Sequence, residues 1–520
     1  MILWILSSNL ANVTRVRRKV QNKQQKKMET EQRQNSIIRF FKRYNRYIKV
    51  GLVSLLGLIL AVLPTESFGI EGLTVIQQRV IAIFVWAAFM WIEEAVPAWT
   101  TSLLIIVISL LTISNSAITP LISGLDEVSR SQLVSYKAIM GTFADQTVML
   151  FLGGFVLALV ASKSGVDITL ARAMLKPFGT KPYIVLFGFM LVTAIFSMFV
   201  SNTATAAMML TFLAPVLKSL PKEEKGCAAL ALAIPIGANI GGIATPIGTP
   251  PNGIALGYLN DTAGLNLGIG FGDWMMVMTP LMLVILVIAW LLLRIFHPFT
   301  AKEIHLRIDG GAKKGWRTNV IYATLAITIL LWMFEKLVGI NSYVVALIPV
   351  GVFSITRIIK SKDLKDIDWA CLWMVAGGFA LGVAMDKTGL AGTLVEAIPF
   401  GSWPVLAVMM GSGVICWVLS TFISNSAATA LMVPILAAVG RGLGPSLGEY
   451  GGIGTLLIGV ALSASFAMSL PISTPPNAIA HSTGLIKSSH MLRVGILIGI
   501  ISLTIGYSLI IFVGKTGFFG

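Results

Sequence analysis

The sequence contains the polar run Phe199-Val200-Ser201-Asn202-Thr203-Ala204 within an apolar stretch, and a near copy, Phe422-Ile423-Ser424-Asn425-Ser426-Ala427, within a second one. Two further motifs return in the same order, Gly153-Gly154-Phe155 as Gly377-Gly378-Phe379 and Thr249-Pro250-Pro251-Asn252 as Thr474-Pro475-Pro476-Asn477. The three offsets are 223, 224 and 225 residues. Ordered matches at almost one offset indicate an internal duplication, and the polar copies mark where its halves meet.

The composition places the chain in a lipid bilayer. Of its 520 residues, 56% are hydrophobic and 12% are charged, and the mean hydropathy is +0.84. Apolar runs of about 17 to 23 residues recur, and a helix of that length crosses a hydrocarbon core of roughly 30 Å. A β-barrel strand would alternate apolar and polar residues, whereas residues 281–293 are apolar throughout. We therefore predict an all-α polytopic membrane protein.

Basic residues are concentrated before the first span. The net charge is +16, and thirteen of the 39 Lys and Arg residues lie between Arg15 and Lys49. The positive-inside rule predicts that residues 1–49 form a basic cytoplasmic arm, which also contacts anionic membrane lipid. No known nucleic-acid motif accompanies these charges, so we expect no nucleic-acid partner. Because no organellar transit pattern stands out, we expect a plasma membrane or a bacterial inner membrane.

The same rule predicts the topology. Single spans are expected at 50–64, 74–91, 100–117, 147–162, 275–296, 319–338, 342–358, 368–385 and 492–513. The basic loops fall on one side only if segments 183–217 and 403–439 each enter and leave the membrane on the same side, as re-entrant hairpins. Their arms, of about 14 to 18 residues, are too short to span twice. About eleven transmembrane helices and two hairpins, in two inverted repeats, are the prediction.

These boundaries divide the chain into units. The predicted order is a basic arm (1–49), scaffold helices of repeat 1 (50–182), a transport unit of repeat 1 (183–300), a cytoplasmic linker (301–318), scaffold helices of repeat 2 (319–402) and a transport unit of repeat 2 (403–520). Each transport unit holds one hairpin and one broken helix. The helix breaks where adjacent prolines remove amide donors and clash with the preceding turn.

The breaks and hairpin tips predict a binding site near the membrane midplane. Unwound backbone exposes amides at helix N-termini, which attract a carboxylate, and carbonyl oxygens, which replace the hydration shell of sodium. Asn offers donors to the anion and an oxygen to the cation, and a hydroxyl serves either. The repeated glycine pairs are interpreted as close helix packing, not as ligand contacts. Glu93, Glu94 and His481 are interpreted as interfacial residues.

These residues resemble the divalent anion:sodium symporter (DASS) family, which includes sodium-coupled dicarboxylate and citrate transporters. Segment 91–97 is similar to the family's early Glu-Ala-x-Pro segment, the Ser-Asn-Thr and Ser-Asn-Ser triplets to its hairpin tips, and the Pro-Pro-Asn motifs to its discontinuous helices. The resemblance covers nearly the whole chain after about residue 50. It implies a homodimer that works by an elevator mechanism, with sodium ions co-transported with a small carboxylate anion.

Site residues follow from the same resemblance. The implied substrate contacts are Ser201, Asn202, Thr203, Ser424, Asn425, Ser426, Thr474 and Pro475. One implied sodium site uses Ser197, Asn202 and a carbonyl near Gly242, and the other uses Ser420, Asn425 and the carbonyl of Ser473. The family usually has Thr at the position of Ser426, so this chain keeps the hydroxyl and lacks a methyl group.

Two alternatives keep the fold and change the function: a sodium-independent anion exchanger, or a carrier of citrate or sulfate. An enzyme would need a cluster of acids, bases or metal ligands, and the spans hold only scattered candidates such as Asp386. A channel would need a pore ring repeated by symmetry, whereas antiparallel repeats meet at one occluded point. We therefore predict a transporter importing a succinate-, malate- or fumarate-type dicarboxylate with sodium, and not an enzyme.

Overall fold

The computed structural model describes residues 44–221, 224–262, 265–305, 310–399 and 402–519. The predicted basic arm lies outside the described residues as far as residue 43. The first described helix, Tyr44–Val62, begins within the last residues of that predicted arm, and the boundary at residue 49 stays a prediction. In this helix the basic residues Arg46 and Lys49 lie near the start, and the apolar residues follow them.

The described chain is helical throughout its membrane part. The principal helices are Tyr44–Val62, Val75–Ile92, Ala98–Thr112, Gln146–Ser164, Val166–Leu175, Pro182–Ser197, Asn202–Ser219, Gly226–Gly242, Pro250–Gly257, Phe271–Phe296, Trp316–Met333, Ser342–Ile355, Trp369–Lys387, Leu390–Ala397, Val405–Phe422, Asn425–Leu443, Gly452–Ser465, Pro475–Ser482 and Ser488–Lys515. Each of the nine predicted single spans falls on one of them. The prediction of an all-helical polytopic membrane protein is confirmed.

Length and composition sort these helices into two groups. In the described residues, eight helices are long and apolar enough to cross a membrane, fewer than the eleven or so predicted. Two predicted spans correspond to shorter helices, Ala98–Thr112 and Ser342–Ile355, and a third corresponds to Trp316–Met333, which has 18 residues but is not one of the eight. A 15-residue helix such as Ala98–Thr112 is about 22 Å long and does not reach across the roughly 30 Å hydrocarbon core by itself.

Both predicted hairpins are pairs of helices joined at the polar triplets. The first hairpin consists of Pro182–Ser197 and Asn202–Ser219, with 16 and 18 residues. The second hairpin consists of Val405–Phe422 and Asn425–Leu443, with 18 and 19 residues, and each of these arms is long enough to span. The premise that the arms are too short to cross the membrane is therefore wrong for the second hairpin, and re-entrance stays a prediction.

Each broken helix is a longer segment, an unwound break and an eight-residue half-helix. The first comprises Gly226–Gly242 and Pro250–Gly257, and the second comprises Gly452–Ser465 and Pro475–Ser482. Half-helix Pro475–Ser482 packs against Asn202–Ser219 and Gly226–Gly242. Half-helix Pro250–Gly257 packs, conversely, against Asn425–Leu443 and Gly452–Ser465. Each repeat thus inserts its half-helix into the other repeat, which brings both breaks and both tips to the centre of the molecule.

The repeated glycine pairs lie at close helix contacts. A Cβ atom on Gly153 would lie 2.0 Å from the Ala346 carbonyl oxygen, and one on Gly377 would lie 2.4 Å from Ser102 Cβ. Neither distance is possible, so these helices approach as closely as they do only because the residues are glycine. This agrees with their interpretation as packing residues outside the site.

Candidate functional site

The two polar triplets form equivalent helix caps. Ser201 is the N-cap of Asn202–Ser219, and its side chain accepts a hydrogen bond from Ala204 N (3.3 Å). Ser424 is the N-cap of Asn425–Leu443 and accepts from Ala427 N (3.2 Å). Serine is favoured here because its oxygen satisfies one of the free amides of the first turn. Each asparagine therefore begins a helix, at the positive end of the helix dipole.

Behind each tip, a serine of the preceding arm meets the tip asparagine and a backbone carbonyl. Ser197 Oγ lies 2.8 Å from Ala238 O and 2.6 Å from the Asn202 amide. Ser420 Oγ lies 3.0 Å from Ala464 O and 2.8 Å from Asn425 Oδ1. Both serines are fully buried. The two repeats thus build the same oxygen-rich cluster, and oxygen is the ligand that hard cations such as sodium prefer.

The first of these clusters extends to the break. The Asn202 amide faces only acceptors, and with its nitrogen turned towards them it donates to Ser197 Oγ (2.6 Å), Gly248 O (3.1 Å) and Ala238 O (3.3 Å). A Cβ on Gly242 would lie 2.7 Å from one terminal atom of the Asn202 amide and 3.1 Å from the other, so glycine is needed there. The Gly242 carbonyl, predicted near the sodium ion, accepts from Asn252 Nδ2 (3.0 Å) and keeps a second lone pair.

A buried asparagine holds each break in its unwound shape. Asn252 Nδ2 lies 3.0 Å from Gly242 O and 2.8 Å from Thr245 O, and Asn477 Nδ2 lies 2.8 Å from Met468 O and 2.9 Å from Leu470 O. These carbonyls have left the helical ladder and would otherwise be unpaired in an apolar interior. The sequence located the breaks at the prolines, but it did not assign this role to the asparagines that follow them.

Each break is also tied to the arm of its own hairpin by a hydroxyl group. Ser473 Oγ donates to Thr421 O (2.8 Å) and accepts from Leu470 N (3.1 Å). In the first repeat Thr245 Oγ1 donates to Met198 O and accepts from Gly248 N (3.0 Å). The sequence singled out Ser473 for its carbonyl and missed Thr245, because the two hydroxyl groups do not lie at matching positions of the repeat.

A cavity of about 290 Å³ lies between the two tips and the two breaks. That volume is at the lower end of the roughly 300–1,000 Å³ typical of small-molecule sites. All eight predicted substrate residues line it: Ser201, Asn202, Thr203, Ser424, Asn425, Ser426, Thr474 and Pro475. Ser473 also lines it, whereas Ser197, Ser420 and Gly242 lie behind the tips. The structure thus brings together residues that are more than 270 positions apart.

Six helices begin at this cavity. Its lining includes the cap or first turn of Ala98–Thr112, Asn202–Ser219, Pro250–Gly257, Trp369–Lys387, Asn425–Leu443 and Pro475–Ser482. Each N-terminus carries about half a positive charge. The starts at Pro250 and Pro475 lack amide donors at their first positions, so there the dipole acts alone. The convergence makes the cavity attractive to an anion.

The side chains around the cavity carry little charge. Among the described residues that line it, Asp368 is the only charged one. Its carboxylate caps Trp369–Lys387 and accepts from Cys371 N (3.0 Å). Lys, Arg and His are absent from this described lining, so positive charge comes from backbone dipoles alone. Sequence reasoning missed Asp368 because nothing in its local pattern distinguishes it from an ordinary helix cap.

Aromatic and other residues that the sequence did not assign to the site complete the wall. They include Trp99, Phe151, Phe155, Asn239, Ile247 and Cys371. Cys371 is buried and borders the cavity. Asn239 is a lone amide in an apolar segment, and that contrast is the signal that would have found it.

The remaining polar candidates lie elsewhere. Glu93 pairs with Lys49 (2.7 Å) at an exposed position, and Asp386 lies 3.3 Å from Arg441. His481 Nε2 lies 3.1 Å from Ser488 Oγ. Glu94 lines a second cavity, of about 400 Å³, with Arg46, and this cavity shares Ala98 and Ser424 with the first. None of these four acids and bases borders the cavity between the tips.

Comparison with known proteins decides the family. Residues 81–449 match the family described as "Citrate transporter". The chain belongs to this family. It is 30% identical over 492 residues to an uncharacterized transporter of Haemophilus influenzae (88% of this chain, 97% of the relative). It is 28% identical over 503 residues to the sodium-dependent dicarboxylate transporter SdcS of Staphylococcus saprophyticus (89% of this chain, 91% of the relative).

The solved structure of Neisseria gonorrhoeae MtrF, from a class of antimetabolite efflux pumps, has a similar fold. Its TM-score is 0.51 at 13% sequence identity, over 80% of this chain and 94% of that chain. At that identity the likeness concerns the fold alone. Together, the comparisons confirm the predicted resemblance to the DASS family and the prediction that this integral membrane protein is a transporter and not an enzyme.

Proposed function

We propose that this protein is a secondary active transporter that imports a small dicarboxylate of the succinate, malate and fumarate class together with sodium. The observation that carries the proposal is the cavity between the tips. Six helix N-termini point at it, two oxygen-rich clusters flank it, and its described lining holds no basic side chain. The similarity to a sodium-dependent dicarboxylate transporter supports the same conclusion.

Charge balance is the reason for invoking sodium. A dicarboxylate brings two negative charges into a cavity that already contains the Asp368 carboxylate. Helix dipoles offset part of that charge, but uncompensated charge in a low-dielectric interior is costly. Cations held in the clusters beside the tips would lower the cost without any Lys or Arg. A transporter built in this way binds its anion well only when sodium is present.

The proposed sodium sites follow the two clusters. The first uses Ser197, Asn202 and the backbone near Gly242, and the second uses Ser420, Asn425 and the carbonyl of Ser473. Asn202 and Asn425 each belong to a cluster and to the cavity wall. Sodium binding would fix the asparagine side chains and with them the first helical turns, whose amides then face the anion. This shared residue is the proposed physical link between cation and anion binding.

The proposed substrate site places one carboxylate at each tip. Ser201 and Thr203 would serve one end of the anion, and Ser424 and Ser426 the other, with Thr474 and Pro475 along its side. We further propose that the repeats are inverted, that the N-terminus is cytoplasmic, and that a homodimer moves the hairpins and broken helices against its scaffold as an elevator.

The test is uptake of radiolabelled succinate into proteoliposomes with and without an inward sodium gradient. The variants are Asn202→Ala and Asn425→Ala, with Asn341→Ala as the matched control, since Asn341 is an exposed cap whose side chain accepts from Tyr343 N (2.8 Å). We expect sodium-dependent uptake that both cavity variants abolish and the control retains. Uptake that is the same without sodium would overturn the coupling.

A second candidate function is a sodium-independent exchanger, or a carrier of citrate or sulfate, on the same fold. Membership of a family described as citrate transporters favours citrate among these. Counter-flow in sodium-free buffer separates the two functions. Exchange that requires internal anion and ignores sodium would support the second candidate and count against symport.

A further inference from the structure

Asn239 connects the two repeats at the edge of the cavity. It lies near the end of Gly226–Gly242 in the first repeat and is 1% exposed. Its Nδ2 donates to Thr474 Oγ1 (3.2 Å) and to Asn477 Oδ1 (3.3 Å), both at the second break. It also lines the cavity between the tips. The residue therefore faces both the break and the space for the substrate.

The hydrogen-bond network fixes which way this amide points. Asn477 Nδ2 is committed to two carbonyls of the break, Met468 O (2.8 Å) and Leu470 O (2.9 Å). The Asn477 oxygen must therefore face Asn239, and it needs a donor there. Only the Asn239 nitrogen supplies one, so the Asn239 oxygen is turned to the other side.

That oxygen has no donor among the described residues. Asn239 Oδ1 is buried and without a hydrogen-bond partner there. The corresponding residue of the second repeat, Ser465, satisfies its hydroxyl by donating to Ala461 O (3.0 Å) within its own helix. The unmatched acceptor thus breaks the symmetry of a cavity whose tips are otherwise alike. A buried acceptor without a donor destabilises the protein, and a ligand that supplies the donor removes that cost.

The missing donor specifies a feature of the substrate. An ionised carboxylate only accepts hydrogen bonds, so neither succinate nor fumarate can satisfy Asn239. An alcohol group donates one. Asp368 is a second acceptor in the same lining. We propose that Asn239 Oδ1 accepts the alcohol proton of a 2-hydroxycarboxylate, and that the site therefore favours malate over succinate and citrate over its analogue without the hydroxyl group, tricarballylate. This inference rests on the proposed function.

Matched ligand pairs test the inference. Purified full-length protein in sodium buffer is titrated with malate, succinate, citrate and tricarballylate, and thermal stabilisation reports binding. Within the pair that binds, we expect the hydroxylated member to act at a concentration roughly tenfold lower. Asn239→Leu should bring the two members to within about twofold. Asn239→Ser, which copies the second repeat, should do the same. If Asn239→Leu acted only by weakening sodium binding, both members of a pair would bind more weakly to the same extent, and their ratio would stay the same.

Asn252→Ala is the control for damage to a break. Asn252 holds the first break as Asn477 holds the second, and its amide donates to carbonyls of that break, so its loss should weaken both members of a pair and preserve their ratio. An unchanged preference in Asn239→Leu, or no preference in the wild type, overturns the inference and leaves the proposed function standing. Stabilisation by none of the four anions overturns the proposed function and the inference with it.

Discussion

The first and second hairpin tips have the same cap and the same cluster, but they differ in how deeply they are buried. Thr203 at the first tip is exposed, whereas its counterpart Ser426 is 6% exposed. Farther along the following arm, Ala207 is exposed and its counterpart Ala430 is fully buried. The comparison indicates that the polar chemistry is duplicated while the packing is not. The Ser-Asn pair is half-buried at both tips, and the difference lies in the third tip residue and in the arm that follows it.

The largest effect should come from enlarging one alanine in the arm that follows each tip. Ala430 packs against Gly378, where a Cβ would lie 3.1 Å from Ala430 Cβ. Ala430→Leu should therefore lower the free energy of unfolding by about 1–3 kcal/mol through overpacking. Ala207→Leu, at the matching exposed position, should change it by less than about 0.5 kcal/mol. Thermal unfolding of the two variants measures this, and equal losses would mean that the tips are buried alike.

The next effect concerns a residue of each break whose carbonyl accepts from the break asparagine. These residues are Gly242 in the first repeat and Met468 in the second. Gly242→Ala would place its Cβ 2.7 Å from the nearer terminal atom of the Asn202 amide and displace that side chain. We expect the sodium concentration for half-maximal uptake to rise roughly tenfold or more. Met468→Ala should raise it less than about threefold. If Gly242→Ala raised the sodium concentration for half-maximal uptake only slightly, Asn202 would not be a sodium ligand.

Removing the hydroxyl ties should have a smaller and symmetrical effect. Ser473→Ala and Thr245→Val each detach a break from its hairpin arm, leaving one carbonyl without its donor. Each variant should raise the sodium concentration for half-maximal uptake by roughly five- to tenfold, since a net hydrogen bond contributes about 1 kcal/mol. Sodium titrations of uptake for the two variants give the comparison. An effect in only one variant would show that the breaks do not share this device.

The smallest effect should come from exchanging the methyl group that distinguishes the tips. Thr203→Ser and Ser426→Thr make each tip resemble the other while keeping both hydroxyls. Because Ser426 is buried, the added methyl should reduce the room for substrate and raise KM by about two- to fivefold, whereas Thr203→Ser should stay within about twofold. KM values for succinate and for a bulkier anion decide this. Equal shifts in the two variants would contradict the difference in burial.

The repeat made much of the site predictable. Every predicted substrate residue borders one cavity, because two short motifs, read together with the prolines, identify helix starts whatever the rest of the chain does. The sequence did not predict that Asn239 and Asp368 line the site, since neither belongs to a motif and their roles depend on neighbours more than 100 residues away. The length of the second hairpin was also misjudged, because apolar arms give no sharp signal of where a helix ends.

The six converging helix starts have a consequence for how the protein responds to its surroundings. A cavity made positive by Lys or His would lose its charge as pH rises, and a single substitution would neutralise it. Peptide dipoles do not titrate, and no single side-chain replacement removes them. Affinity for a fully ionised anion should therefore remain constant from mildly acidic to alkaline pH. Any pH dependence of transport then reports protonation of the cargo or of side chains, and not a change in the dipoles that attract the anion.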